Sequence, residues 1–166
     1  MKSILFLFII VGVAFGFTSP DASKRLPDIT IADLQGKPVK IQEYVNNGKT
    51  TIISFWATWC APCKRELDAV SELYSGWVND YNVQLVAITI DNARALTQVK
   101  PLIEEKGWEF DVLVDSRQEL QQALNFQSIP QTFIVDKDGN IQYEHSGYSP
   151  GDEYEIEKII KDLAGK

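Results

Sequence analysis

The run Ile52-Ile53-Ser54-Phe55-Trp56-Ala57-Thr58-Trp59-Cys60-Ala61-Pro62-Cys63 constrains this chain more than any other segment. Its first half is apolar and reads as a buried strand. From Pro62 onward the period changes, with Leu67, Val70, Leu73, Tyr74 and Trp77 recurring at threes and fours along one face of a helix. Cys60 and Cys63 therefore stand at a strand-to-helix junction, and they are the only 2 cysteines of the 166 residues. Two thiols so spaced can close a disulfide with each other and reopen it. The first thiolate can attack a partner disulfide while the second resolves the mixed intermediate. A Cys-x-x-Cys in this position reads as a redox site.

Two other uses of the pair fit less well. A structural zinc site takes four ligands, and here a third cysteine is missing and His145 is the sole histidine. No metal or other cofactor is expected. A structural staple ordinarily ties distant segments, whereas a bridge across three residues removes little entropy from the unfolded chain.

The N-terminus has the pattern of an export signal over residues 1–16. Lys2 supplies the positive start, Ile4 to Val13 the apolar centre, and Ala14-Phe15-Gly16 small residues at a cleavage site. The apolar stretch Ile4 to Phe17 covers 14 residues, short of the roughly 18 expected of a membrane span. An uncleaved anchor is the alternative. Residues 17–26 read as a short flexible tether and 27–166 as one domain. The expected location is outside the cytoplasm, in the periplasm or held at the membrane, where a two-cysteine protein makes, shuffles or reduces the disulfides of others. Removing 1–16 takes away one lysine and no acid, so the formal charge of -7 becomes -8. An acidic balance argues against nucleic acid and against simple adhesion to anionic lipid.

The remaining pattern is a βα alternation. Ile29–Ile31 and Val39–Ile41 suggest two short strands around Gln35-Gly36-Lys37-Pro38, followed by the central strand at Thr50–Ala57. Val83–Ile90 is nearly continuous apolar and β-branched, as a strand covered on both faces should be. A helix over Ala93–Lys106, in which Pro101 is a candidate break or kink, precedes a strand at Phe110–Val114 and a short helix at Arg117–Leu124. Thr132–Val135 and Asn140–Glu144 flank Asp136-Lys137-Asp138-Gly139, a hairpin signal. A last helix over Gly151–Leu163 offers Tyr154, Ile156, Ile159, Ile160 and Leu163 as apolar contacts. The sum is a mixed central sheet flanked by helices, with a short N-terminal β extension and an inserted βα segment.

Within the site, Cys60 is the expected nucleophile. It would face the free N–H groups and positive end of the helix, both of which favour thiolate. Cys63, one turn inside, is suited to resolve. Pro62 fits a first helical turn, where a missing N–H costs nothing. Ala61 adds no charge, so nothing points to an extremely acidic Cys60. Trp59 is expected to shield one side of the thiol and offer surface to a partner, while Trp56 reads equally as core. Glu66 has two readings. It is an ordinary early-helix glutamate, or a carboxylate near the thiols that raises their pKa and takes the proton leaving Cys63. Lys64 and Arg65 are expected to face solvent, the alternative being a place near Glu66 where either would weaken its effect, and His145 to be a surface or packed residue. Asp91, Asp115 and Asp136, each at a strand end, are expected to start turns or caps.

Taken together, these residues resemble the thioredoxin superfamily, and within it the exported TlpA/ResA-like thiol-disulfide oxidoreductases. The motifs are Phe-Trp-Ala-Thr-Trp-Cys-Ala-Pro-Cys at 55–63, Ile-Pro-Gln-Thr-Phe-Ile-Val-Asp at 129–136 and Asp-Gly at 138–139. The resemblance implies a thioredoxin fold and a cis Ile129–Pro130 bond facing Cys60. The Ile129 backbone would then be free to pair with an extended substrate segment. It favours an active-site role for Glu66, matching a glutamate this branch carries after its second cysteine. General thioredoxins carry a buried aspartate where this chain has Ser54, a departure that shifts proton handling toward Glu66. The activity implied is reduction of a disulfide-containing protein substrate, with electrons from a membrane thiol-disulfide donor and cytochrome c maturation as one setting. A disulfide oxidant or isomerase would use the same cysteines at a higher potential. A non-catalytic interaction module would present Trp59 and the Pro130 loop without thiol turnover. A peroxidase, needing one very reactive cysteine in a peroxide pocket, suits this spacing less.

Overall fold

The computed structural model describes residues 24–165. The export signal expected over 1–16, and the tether up to residue 23, lie outside the described residues. Seven strands form one sheet: β1 (Thr30–Asp33), β2 (Pro38–Lys40), β3 (Thr50–Trp56), β4 (Val83–Thr89), β5 (Asp111–Val114), β6 (Gln131–Val135) and β7 (Ile141–Ser146). Their order across the sheet is β2-β1-β5-β4-β3-β6-β7. β3, β4 and β5 run parallel, while β6 and β7 are antiparallel additions on one side and β1 and β2 on the other. The helices are α1 (Gln42–Val45), α2 (Ala61–Tyr81), α3 (Val99–Lys106), α4 (Glu119–Leu124) and α5 (Asp152–Ala164). This is the thioredoxin-like α/β architecture, with β1 and β2 as the N-terminal extension.

Every residue of β3 and of β4 is buried, as their unbroken apolar runs require of strands covered on both faces. Alternation along β3 sends Phe55 to one face, edge-on to Phe126 at 4.7 Å and Phe133 at 6.0 Å. Ser54 and Trp56 go to the other, where α2 lies. Trp56 is wholly buried and meets Trp108 edge-on at 5.2 Å. Cys63, Glu66, Leu67, Val70 and Trp77 form the buried stripe of α2, which packs on α5. Among the described residues no helix is long and apolar enough to cross a membrane.

The hairpin between β6 and β7 turns as its sequence demands. Gly139 has φ +84°, and a Cβ there would meet Asn46 Oδ1 at 3.0 Å, so both conformation and space call for glycine. Asp136 Oδ1 accepts from the N–H groups of Asp138 and Asn140, both at 2.9 Å. Of the tether expected over 17–26, Lys24–Leu26 are described, and they run along this turn. Ile141 N–H donates to Lys24 O at 2.8 Å, Leu26 N–H donates to Gly139 O at 3.1 Å, and Leu26 is buried.

Three expectations need correction. The helix expected over Ala93–Lys106 is shorter: a 3₁₀ turn at Leu96–Gln98 leads into α3. Pro101 does not interrupt it, because it is the third residue of α3, where an N–H has no helical partner to lose. Tyr154 is 62% exposed rather than a core contact. It lies two residues from buried Ile156, roughly 200° around the helix and so on the opposite side. α1, with Ile41 and Val45 buried, was not expected at all.

Candidate active site

β3 delivers the chain to the site, and α2 begins there. Cys60 caps α2 with an extended backbone (φ -88°, ψ 97°), and Pro62 occupies the first turn. Cys60 and Cys63 are joined as a disulfide, their Cα atoms 5.4 Å apart. The N–H of Cys63 points at Sγ of Cys60 across 3.3 Å. A backbone N–H and a helix N-terminus directed at a sulfur are groups that in general favour thiolate over thiol. The depth difference is in the expected sense, Cys60 being 5% and Cys63 0% exposed.

Around the disulfide, Trp59 is 66% exposed and Ala61 is exposed, while Pro62 and Ile129 are partly so. The Ile129–Pro130 bond is cis. Its position follows from the sheet: β3 and β6 pair with Ser54 opposite Thr132 and Phe55 opposite Gln131. One step further sets Pro130 opposite Trp56, at the strand end from which the chain runs to Cys60. The carbonyl of Pro130 accepts from Gly147 N–H at 2.8 Å. Gln131, buried beside it, is bonded through Oε1 to the Ser146 hydroxyl.

Glu66 is 2% exposed and lies one helical turn beyond Cys63, so the two side chains are neighbours on α2. Its carboxylate accepts from Ser54 Oγ at 2.9 Å and from Thr132 Oγ1 at 2.6 Å. Burial pushes the Glu66 pKa above the ordinary carboxylate value, with the Thr132 and Ser54 hydroxyls pulling the other way. Ser54 thus stands in hydrogen bond with the residue expected to handle the proton in its place. Thr132 was not singled out from the sequence, and its 66-residue separation from Glu66 leaves no local signal.

Two further groups differ from expectation. Lys64 is partly buried rather than simply solvent-facing, and its Nζ donates to Thr58 O at 3.0 Å. Asp91 does more than begin a turn. Wholly buried, it accepts from Thr58 N–H at 2.8 Å, Thr58 Oγ1 at 2.9 Å and Thr89 Oγ1 at 2.7 Å. Asp115 fills the expected capping role, accepting from the N–H groups of Glu119, Leu120 and Gln121 at the start of α4. His145, paired across the sheet with Thr132, has Nε2 3.1 Å from Asp152 Oδ2 and stacks on Tyr143. Among the described residues no group of three or more His, Cys, Asp or Glu side chains is placed to share a metal ion.

Fold and site together define a thioredoxin-like protein in which Cys60 caps a helix and a cis proline precedes the neighbouring strand β6. The chain belongs to the AhpC/TSA family, whose model matches residues 22–144. It is 27% identical to the thiol-disulfide oxidoreductase ResA of Bacillus thuringiensis subsp. konkukian, over 96% of this chain and 94% of that one. Among solved structures it is similar to an uncharacterized thioredoxin-like protein from Porphyromonas gingivalis. That pair shares 42% identity and a TM-score of 0.75, covering 84% of this chain and 92% of the other. It is also similar to StoA from Bacillus subtilis, at 25% identity and a TM-score of 0.64, with 80% and 96% covered.

Proposed function

We propose that this protein reduces disulfides of other proteins outside the cytoplasm, as a thiol-disulfide oxidoreductase of the TlpA/ResA-like kind. The observation that carries the reading is the cysteine pair at a helix start: Cys60, 5% exposed, caps a 21-residue helix beside exposed Trp59, and Cys63 in its first turn is fully buried. The Cys60 thiolate attacks one sulfur of the substrate disulfide, forming a mixed disulfide and releasing the other sulfur as a thiolate. Cys63 then gives up its proton and its thiolate attacks Cys60 Sγ. The mixed bond breaks, the second substrate sulfur leaves and takes a proton, and Cys60–Cys63 closes. Two electrons pass to the substrate. Glu66, next along the helix from Cys63 and held protonatable by burial, is the acceptor for the Cys63 proton.

The substrate meets Trp59, Ala61, Pro62 and Ile129, the exposed and partly exposed residues around the pair, with buried Pro130 in the same loop as Ile129. An extended segment pairs with the Ile129 backbone. The export pattern of residues 1–16 supports a site outside the cytoplasm, where continued turnover needs a membrane thiol-disulfide donor. Disulfides in the haem-attachment segments of apocytochrome c are one substrate that fits this setting.

The direction is tested by equilibrating the purified protein with defined thiol buffers and measuring the Cys60–Cys63 reduction potential. A value near or below about -200 mV is expected; one near about -120 mV would place the protein with disulfide oxidants and overturn the reading.

A further inference from the structure

Thr58 is fastened at every polar atom it has. Its N–H and hydroxyl donate to the two oxygens of Asp91, and its carbonyl accepts from Lys64 Nζ, at 2.8, 2.9 and 3.0 Å. The fastenings come from two elements, the end of β4 and the first turn of α2. Asp91 is itself held, since Thr89 Oγ1 donates to it at 2.7 Å and accepts its N–H at 3.1 Å. The two strand ends are joined as well, Ile90 N–H donating to Trp56 O at 2.9 Å. Beyond Thr58 come Trp59, 66% exposed, and then Cys60, whose N–H reaches back to Ala57 O at 3.0 Å.

A wholly buried carboxylate is costly unless its hydrogen bonds are complete. An apolar residue could close the end of β4 without that cost. What the carboxylate supplies is a fixed place for the loop that carries Trp59 and the sulfur of Cys60. We propose that Asp91 is a positioning residue for the reaction at Cys60, acting through Thr58, with Lys64 closing the same clamp from α2. This rests on Cys60 being the attacking thiol. Thiol-disulfide exchange needs the attacking sulfur aligned with the bond it breaks, and a small displacement of the loop carries sulfur and Trp59 away together. A partner protein must satisfy both at once, whereas a small disulfide can turn to meet a displaced sulfur. The loss on freeing the loop therefore falls mainly on protein substrates.

The test compares Asp91→Ala, Asp91→Asn, Thr58→Ala and Thr58→Ser with the unaltered protein, each reduced beforehand. Three rates are read: reduction of insulin disulfides, reduction of oxidised glutathione, and alkylation of Cys60 by iodoacetamide across pH. Asp91→Ala is expected to slow insulin reduction about 10- to 100-fold and glutathione reduction much less. Asp91→Asn keeps an oxygen for Thr58 N–H and an amide for the hydroxyl, which can reverse, so it should restore most of the rate. If Asp91→Asn is as slow as Asp91→Ala while folded, or both shift the alkylation midpoint alike, the charge matters rather than the position and the inference fails. Should Asp91→Ala not fold, the Thr58 pair decides. Thr58→Ala slow and Thr58→Ser normal supports the clamp; both normal overturns it. If the unaltered protein fails to reduce insulin, the proposed function falls, while the alkylation rates still judge the clamp.

Discussion

Glu66 and Asp91 are both carboxylates buried at the same end of the sheet, 2% and 0% exposed, and their partners differ by one backbone N–H. Glu66 meets two side-chain hydroxyls, Ser54 and Thr132. A hydroxyl can donate to a carboxylate or turn and accept from a carboxylic acid, so that environment tolerates either protonation state. Asp91 meets the backbone N–H of Thr58, which only donates, and two hydroxyls, one from that same residue. The first arrangement suits a group that takes up and releases a proton. The second suits a group that holds a loop. Partner chemistry, more than depth, separates the two roles.

On the proposed function, proton transfer belongs to Cys63 and positioning to Cys60, and the largest effect tests that division. Cys63→Ala should accumulate a mixed disulfide between Cys60 and a protein substrate, visible on non-reducing gels and reversed by dithiothreitol. Cys60→Ala should accumulate none. Trapping through Cys63 in the Cys60 variant would reverse the order of attack, and with it the pairing of Glu66 to the resolving step.

Glu66→Gln comes next. Gln can offer an oxygen to one hydroxyl and an amide to the other, so the domain should fold while exchange slows by up to on the order of 100-fold. The same variant should change the pH dependence of stability. Burial raises the folded pKa of Glu66 above its unfolded value, so between the two values the folded state binds more protons. The stability this group contributes is complete below the ordinary glutamate pKa and is lost as pH rises through the folded one. Urea unfolding of the oxidised protein at several pH values should show Glu66→Gln gaining on the unaltered protein as pH rises. A constant difference between them would mean that Glu66 does not titrate with a raised pKa.

The parts of this molecule legible from sequence are those whose signals are local. The strand ending at Trp56, the cysteine pair at a helix start and the Asp136–Gly139 turn each declare themselves within a few residues. The Pro130 loop was legible through resemblance, since a proline before an apolar strand is otherwise an entry residue. α1 escaped because four residues carry no period, and it forms because Ile41 and Val45 are buried. Tyr154 was misplaced because an apolar residue off the buried stripe looks, in composition, like one on it. The clamp on Thr58 and the cradle of Glu66 join residues 33 and 66 apart in sequence. Only the pairing of β3 with β4 and β6 brings them together, so strand-end Asp91 read as a turn residue and Thr132 as ordinary strand.

The smallest effects sharpen the account of the Glu66 cradle itself. Thr132→Val keeps the shape of the side chain and removes the hydroxyl at 2.6 Å; Ser54→Ala removes the one at 2.9 Å. Each hydroxyl lowers the Glu66 pKa against the larger effect of burial, Thr132 more than Ser54. Losing either pushes that pKa further up and moves the Glu66-dependent limb of the pH–rate profile for exchange to higher pH. The stability cost should be on the order of 1–3 kcal/mol where Glu66 is ionised, because a buried acceptor then lacks a partner. It should shrink in acid, where the protonated group needs fewer donors. Thr132→Val should move the profile further than Ser54→Ala. Equal shifts would mean that the two hydroxyls are interchangeable, and a shift from Ser54→Ala alone would put the reactive oxygen of Glu66 on the β3 side of the cradle.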